Sequence, residues 1–228
     1  MDVMEHGEAP SNGHFIKDGQ YVSRHREFVQ WSAVTGHRGR DYAISRRMTA
    51  QSTISTDYAA MQKELHKNPD YGVASIGHAP IVKTILEFSG SKSISDYGAG
   101  KQNLKRALHD LGKRDFEYYP YDPAFPEYGP PRPADLVCCI DVLEHIEPDY
   151  LSAVLAELGS ITRQFGFFSI ATRPAKKLLS DGRNAHLIQK PSSWWLPKLC
   201  ELFEIARLQR TADGFWICVE PKSPSSTS

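Results

Sequence analysis

Two clusters of residues in this sequence have the types and spacing for chemistry. The first is Ser93-Ile-Ser-Asp-Tyr-Gly-Ala-Gly100, a short run that closes in a glycine turn and leads straight into a predicted helix at Gln102. Such a turn aims backbone N–H groups and a helix N-terminus at the space beyond a sheet edge, the geometry of a nucleotide-type cofactor crevice. Two specific readings of it fail. A Walker loop needs Gly-x-x-x-x-Gly-Lys-Ser/Thr, but Ser95 stands at the first glycine position and Gln102 follows Lys101; the dinucleotide fingerprint needs a small residue where Asn103 stands. The distinctive feature is Asp96, two residues ahead of Gly98, because a carboxylate there repels a phosphate and welcomes a cofactor carrying an ammonium group. The second cluster is Asp141, Glu144 and His145, which follow the apolar run Leu136 to Ile140, with His186 farther on. It falls at the strand end where open sheets bind ligands, and a histidine titrates close enough to neutral pH to take a proton in a reaction.

The elements that must carry these residues follow from periodicity. Pro80 to Phe88, Gln102 to Leu111, Tyr150 to Ile161 and about Ser193 to Leu202 read as helices. Ser93 to Tyr97, Phe116 to Tyr121, Leu136 to Ile140 and Phe165 to Ala171 read as strands, and Phe203 to Arg210 with Phe215 to Glu220 as a hairpin turning at Asp213-Gly214. Short apolar strands alternating with amphipathic helices predict a doubly wound α/β domain over residues 71–220, its mostly parallel sheet covered on both faces. Upstream, residues 14–70 read as a helical accessory region, with Phe28, Trp31 and Val34 on one stripe and Tyr58, Met61 and Leu65 on another, before a Pro/Gly linker from Asn68 to Gly77. Residues 1–13 and 221–228 read as disordered tails.

Composition narrows the function classes. The 228 residues carry 27 Lys+Arg against 27 Asp+Glu, so no whole-chain field draws the protein to nucleic acid or an anionic membrane. A nucleic-acid partner would have to use the locally basic stretch from Lys17 to Arg47. No apolar run approaches the roughly 20 residues of a bilayer span, and the polar, acidic N-terminus is unlike a signal peptide, so a soluble cytoplasmic protein is expected. Cys138, Cys139, Cys200 and Cys218 form no Cys-x-x-Cys pair, and the vicinal pair in a strand would point to opposite faces. Neither a disulfide framework nor a cysteine zinc site is supported.

Asp96-Tyr-Gly-Ala-Gly100 resembles the first motif of the class I S-adenosylmethionine-dependent methyltransferases, and Tyr118-Tyr-Pro-Tyr-Asp122 resembles their second. Ala134 to Ile146 is similar to their fourth-strand motif, and Asn184-Ala-His-Leu-Ile188 to the segment after the fifth strand. The resemblance runs from about Tyr71 to Glu220 and implies a Rossmann-like methyltransferase fold with S-adenosyl-L-methionine as cofactor. It implies that Asp96, Tyr97, Gly98, Ala99 and Gly100 hold the methionine end, that Asp122, with Pro123 beside it, accepts the ribose hydroxyls, and that Asp141 contacts the cofactor or acts in catalysis. Methyl transfer asks the protein to align a nucleophile, exclude water and, for a hydroxyl, remove a proton. His186, His145 and Glu144 are the candidates for that work; a helix-start carboxylate competes as the reading of Glu144, and a structural histidine as that of His145. Trp194 and Trp195 roof an acceptor pocket or serve as buried packing, and Tyr71-Gly72 is expected to form a lid.

The sequence departs from the family in two places. About a dozen proline-rich residues separate Asp122 from Asp135, too few for a crossover helix and a strand, so the outer third strand is expected to be missing. Phe125 or Tyr128 in that loop either flanks the adenine or packs the loop. Asp141-x-x-Glu144-His145 with His186 also resembles the set by which small-RNA 3′-terminal 2′-O-methyltransferases hold a divalent metal, but Asp replaces the first Glu here. Many metal-free small-molecule methyltransferases carry Glu-His at the same place, so metal use stays open. The resulting expectation is methylation of an oxygen or nitrogen of a small acceptor, nucleotide-like compounds included. The alternatives are a nucleic-acid methyltransferase and a cofactor-binding partner subunit without turnover.

Overall fold

The computed structural model describes residues 16–17, 20–21 and 52–222. The chain divides into two units, Met1–Arg47 and Met48–Ser228. In the first, strands β1 (Ile16–Lys17) and β2 (Gln20–Tyr21) pair antiparallel. The stripe of Phe28, Trp31 and Val34, most of the basic stretch toward Arg47, the tail of residues 1–13 and residues 223–228 lie outside the described residues.

The second unit is built on a six-stranded sheet of β3 (Ser93–Tyr97), β4 (Glu117–Tyr121), β5 (Ala134–Ile140), β6 (Thr162–Ala171), β7 (Phe203–Arg210) and β8 (Gly214–Pro221), in the order β4-β3-β5-β6-β8-β7. Strands β4, β3, β5 and β6 run parallel, and β8 enters antiparallel between β6 and β7, as the Asp213-Gly214 hairpin predicts. Among the described residues no strand lies beyond β4, and the proline-rich loop after it holds only a short 3₁₀ turn, Pro126–Tyr128. The outer strand is missing, as the loop length requires. From β3 the chain steps outward to β4 and then returns across β3 to β5, so the carboxyl ends of β3 and β5 part around a crevice.

Both sheet faces are covered. On one, α4 (Leu151–Ile161) and α5 (Ser192–Leu202) pack Val154, Leu158, Trp195 and Leu199 against Val137, Cys139, Phe168 and Ile217. On the other, α2 (Ala74–Ser89) and α3 (Asn103–Asp110) pack Val82, Leu86, Leu104 and Leu108 against Ile94, Leu136, Cys138 and Phe167. Cys138 and Cys139 thus fall in opposite cores, as strand alternation demands. Among the described residues no helix is long and apolar enough to cross a membrane.

Three boundaries differ from the sequence reading. Helix α1 (Thr56–Leu65), assigned above to the accessory region, belongs to the second unit because Tyr58 is buried against Leu179 and Ala185, and Ser55 at its N-cap donates from N and Oγ to Glu147. Helix α2 starts at Ala74 and runs through Pro80, whose missing N–H deprives only the carbonyl of the exposed Ile76 of its helical donor, so the expected linker shortens. Pro221 extends β8 opposite Phe203 and is not tail.

The hairpin predicts a test. A Cβ on Gly214 would stand 2.1 Å from the Ile170 carbonyl oxygen, whereas one on Gly77, exposed within α2, meets nothing within 4 Å. Gly214→Ala should cost about 1–3 kcal/mol in denaturant unfolding, and Gly77→Ala should stabilise by about 0.5–1 kcal/mol. Equal stability of the two variants would contradict the β6–β8 register.

Candidate active site

A cavity of about 380 Å³ opens at the carboxyl ends of β3, β4 and β5, a size suited to a small-molecule site. Its floor begins with the glycine loop. Gly98 N and Ala99 N donate to the Tyr121 carbonyl at 2.8 and 2.9 Å, and Gly100 N donates to Asp122 Oδ2 at 2.9 Å, while Asp122 Oδ1 accepts from Ala124 N at 2.8 Å. The N–H groups expected to face the crevice are therefore bound to the end of β4, because that edge strand offers a carbonyl and a carboxylate at the right height. Gly98 and Gly100 have φ of +79° and +47°, and a Cβ on them would approach Val142 Cγ2 to 2.4 Å and His66 Cε1 to 2.7 Å. Tyr128 donates its hydroxyl to Gly100 O, and its ring stacks on Phe125 at 5.3 Å. Neither aromatic lines the cavity, so both pack the loop.

Five carboxylates line the cavity, Asp70 and Glu147 on its walls and Asp96, Asp122 and Asp141 at or near the ends of β3, β4 and β5. Asp96 is 4% exposed, accepts a hydrogen bond from the Tyr118 hydroxyl, and has its pKa pushed up by burial to about 7. Asp122, beside Pro123 and Ala124, is likewise raised by burial; His66 Nε2 stands 3.9 Å from its Oδ2, and burial lowers the His66 pKa. Asp141 ends β5 at φ 59°, a left-handed conformation rare outside glycine, with its N–H held by the Ser169 carbonyl and hydroxyl oxygens at 3.1 and 3.0 Å. Tyr97 contributes wall only, since its hydroxyl donates to Glu157 Oε2 at 2.6 Å on the far side.

His145 and His186 meet beside Asp141, their ring centres 4.7 Å apart and perpendicular. Asp141, His145 and His186 each offer a ligand atom within 4.8 Å of the others. His186 Nδ1 lies 2.6 Å from Arg173 O; a carbonyl only accepts, so Nδ1 carries the proton and Nε2 is left as an acceptor. Burial lowers the His145 pKa to about 4, Asp141 opposing and His186 adding to the shift, so the near-neutral titration expected of a histidine does not hold for this one.

Glu144 does not join them. Fully buried behind the cavity wall, it accepts from Ala171 N at 2.6 Å through Oε1 and from Ile188 N at 2.9 Å through its backbone carbonyl, and burial with Asp141 nearby raises its pKa. It ties the end of β6 to the turn after β5, which corrects its reading as a catalytic group. Trp195 is fully buried in the core, and Trp194 lines a separate cavity between α4 and α5, so neither roofs this pocket.

Sequence reasoning missed Tyr58 and Gln62 on α1 and His66 at its C-cap, spaced four apart. Tyr71 donates to Gln62 Oε1 at 2.9 Å, Gln62 Nε2 donates to the Tyr58 hydroxyl at 2.6 Å, and Tyr58 donates to the His145 carbonyl at 2.6 Å. Asn103, where the dinucleotide fingerprint needs a small residue, donates to Gly72 O at 2.7 Å. Tyr71-Gly72 is thus a tethered wall of the cavity. The four-residue spacing was a legible signal of one helix face.

No family model matches the chain, and no curated protein matches it. Solved structures do. The 1,6-didemethyltoxoflavin-N1-methyltransferase of Burkholderia thailandensis, solved with 1,6-didemethyltoxoflavin and S-adenosylhomocysteine, aligns with TM-score 0.52 and 16% identity over 80% of this chain and 99% of its own. The magnesium protoporphyrin IX methyltransferase of Synechocystis PCC 6803 aligns at TM-score 0.47 and 17% identity over 74% of this chain and 95% of its own. Together with the strand order above, the first of these likenesses establishes that the chain has the Rossmann-like fold of the class I S-adenosylmethionine-dependent methyltransferases.

Proposed function

We propose that this protein is an S-adenosylmethionine-dependent methyltransferase acting on an oxygen or nitrogen of a small acceptor. One observation carries the reading: Asp96, Asp122 and Asp141 line one cavity at successive strand ends, and among the described residues no lysine or arginine forms an ion pair with any of them. Such a floor favours a cationic ligand, and this cofactor carries both an ammonium and a sulfonium. The glycine-loop N–H groups are already bonded, so the floor presents acceptors where a phosphate would need donors.

The sulfonium supplies an already activated methyl group. The chain then has to bind, orient and deprotonate. Asp96 suits the ammonium and Asp122, with His66 beside it, the ribose hydroxyls. The hydrogen-bonded wall of Tyr58, Gln62 and Tyr71 excludes water from that side. A base with a pKa of about 4 takes protons poorly near neutrality, so His145 is the weaker candidate. His186, fixed through Nδ1 with Nε2 open, is the group assigned to receive the acceptor's proton.

A second reading is favoured by the Asp141, His145 and His186 cluster, which fits three ligands of a divalent ion that would orient an acceptor hydroxyl. Keeping His145 neutral suits it as a ligand, and Glu144 has no part in the set.

Two experiments test these assignments. Calorimetry should detect S-adenosylhomocysteine binding, weakened about 10- to 100-fold by Asp96→Asn. Free Asp96 is half protonated near pH 7 and must ionise to pair with the ammonium, so binding releases a proton below that pH, and affinity should rise from pH 6 to 8 and then level. A pH-independent affinity would remove Asp96 from the ammonium site. Second, His186→Ala should cut methyl transfer by about 10²–10⁴-fold with cofactor affinity unchanged. Chelator leaves the wild-type rate untouched under the proton-transfer reading. Under the metal reading it abolishes the rate, manganese or magnesium restores it, and Asp141, His145 and His186 variants fail alike. Full activity of His186→Ala would defeat both.

A further inference from the structure

We infer that the methyl acceptor is a small molecule bearing a phosphate or carboxylate, which the Lys177 ammonium holds while the His145–His186 pair faces the reacting atom. The inference deepens the methyltransferase reading and rests on it. Lys177 lies on the segment between β6 and α5, and that segment is folded back on itself. Ala185 N donates to Lys177 O at 3.1 Å, Leu179 N to Arg183 O at 2.8 Å, and the Asn184 amide bridges Ala175 N and O, each at 2.9 Å. The Lys177 backbone is therefore pinned to the residue immediately before His186, whose own ring is anchored on Arg173 O. Charge and imidazole sit on one braced unit.

The side chains continue the argument. Lys176 and Lys177 both line the cavity, and the Lys177 ammonium stands 5.8 Å from the Tyr71 ring centre. Tyr71 in turn meets the His145 ring at 6.1 Å, and His145 meets His186 at 4.7 Å. Two aromatic contacts, a span that a small metabolite bridges, separate the ammonium from the imidazole pair. Among the described residues neither lysine has a carboxylate partner. Lys101, held on the Asn68 and Pro69 carbonyls, lies close enough that Lys177, after burial, lowers its pKa. Lys176 and Lys177 thus bring positive charge to the same cavity whose strand ends carry Asp96, Asp122 and Asp141, with Asp70 the carboxylate that opposes them at Lys101. This division of charge suits a cationic cofactor at the strand ends and an anionic acceptor at the lysines.

The test supplies full-length protein with cofactor carrying a labelled methyl group and a cell extract fractionated by size and by anion exchange. Label is expected in small, anion-exchanger-retained material. At limiting acceptor, Lys177→Met, which keeps the apolar stem over Tyr71, should lower the rate about 10- to 100-fold, and Lys177→Arg should retain most of it. S-adenosylhomocysteine affinity should stay within about twofold in both, since the lysine serves the acceptor. Label in neutral or cationic compounds, label in nucleic acid, an unaffected Lys177→Met variant, or a loss confined to cofactor affinity would each overturn the inference. If no fraction takes up label although cofactor binds, the methyltransferase reading fails by itself. The anion site is then decided by titrating inorganic pyrophosphate into protein saturated with S-adenosylhomocysteine: saturable binding lost in Lys177→Met supports it, and no saturable binding overturns it.

Discussion

The end of β4 governs the floor of the cavity at the carboxyl ends of the strands. Tyr121 O and Asp122 take the N–H groups of Gly98, Ala99 and Gly100, joining the turn after β3 to a strand that has β3 as its one strand neighbour among the described residues. Each such group, buried without a partner, would cost on the order of 1–3 kcal/mol, so the positive φ angles of the glycine loop are held by this clamp and not by the glycines alone. The clamp also sets the electrostatic character of the cavity. With its donors turned toward β4, the loop shows a ligand carbonyls and carboxylates, and burial then lifts the pKa of Asp96 and Asp122, which no lysine or arginine compensates among the described residues.

A second set of constraints shapes the cavity wall beside β5 and β6. Asp141 leaves β5 in a left-handed conformation, which a non-glycine residue holds only where the surroundings impose it. Here the imposition is local: Ser169 on the neighbouring β6 takes the Asp141 N–H twice, and Glu144 takes the N–H of Ala171 two residues farther along the same strand. The turn therefore cannot relax without exposing buried donors. Glu144 fixes where Asp141 and His145 stand, which explains a fully buried carboxylate one residue from a cavity histidine.

The centre of the sheet was legible in the sequence because β3, β5 and the second half of β6 are short runs buried on both faces, and the alternation of β5 even separates Cys138 from Cys139 correctly. The missing strand was legible from loop length. The direction of the glycine-loop N–H groups was not, since it depends on Asp122, twenty-two residues away, and no local pattern encodes that contact. Helix α1 was misassigned for a different reason. Its apolar stripe of Tyr58, Met61 and Leu65 suggested a separate packing unit, while the face that matters is the polar one, Tyr58, Gln62 and His66, whose partners lie in the domain. Glu144 and His145 show the limit most sharply: adjacent in sequence and alike in chemical promise, they point to opposite sides of the wall because a 3₁₀ turn separates their directions.

The wall and the floor are mechanically joined. Tyr71, Gln62 and Tyr58 form a hydrogen-bonded line that ends on the His145 carbonyl, and Glu147, two residues on, caps the same helix through Ser55. Helix α1 is thus fixed at both ends of one turn, the turn that presents His145 to His186. His66, one helical turn beyond Gln62, lies over Gly100 beside Asp122. A displacement of α1 would consequently be felt at both Asp122 and the imidazole pair. Because packed, fully bonded elements shift between discrete arrangements more readily than they deform, the Gly100–Asp122 floor and the His145–His186 pair are coupled through this one helix.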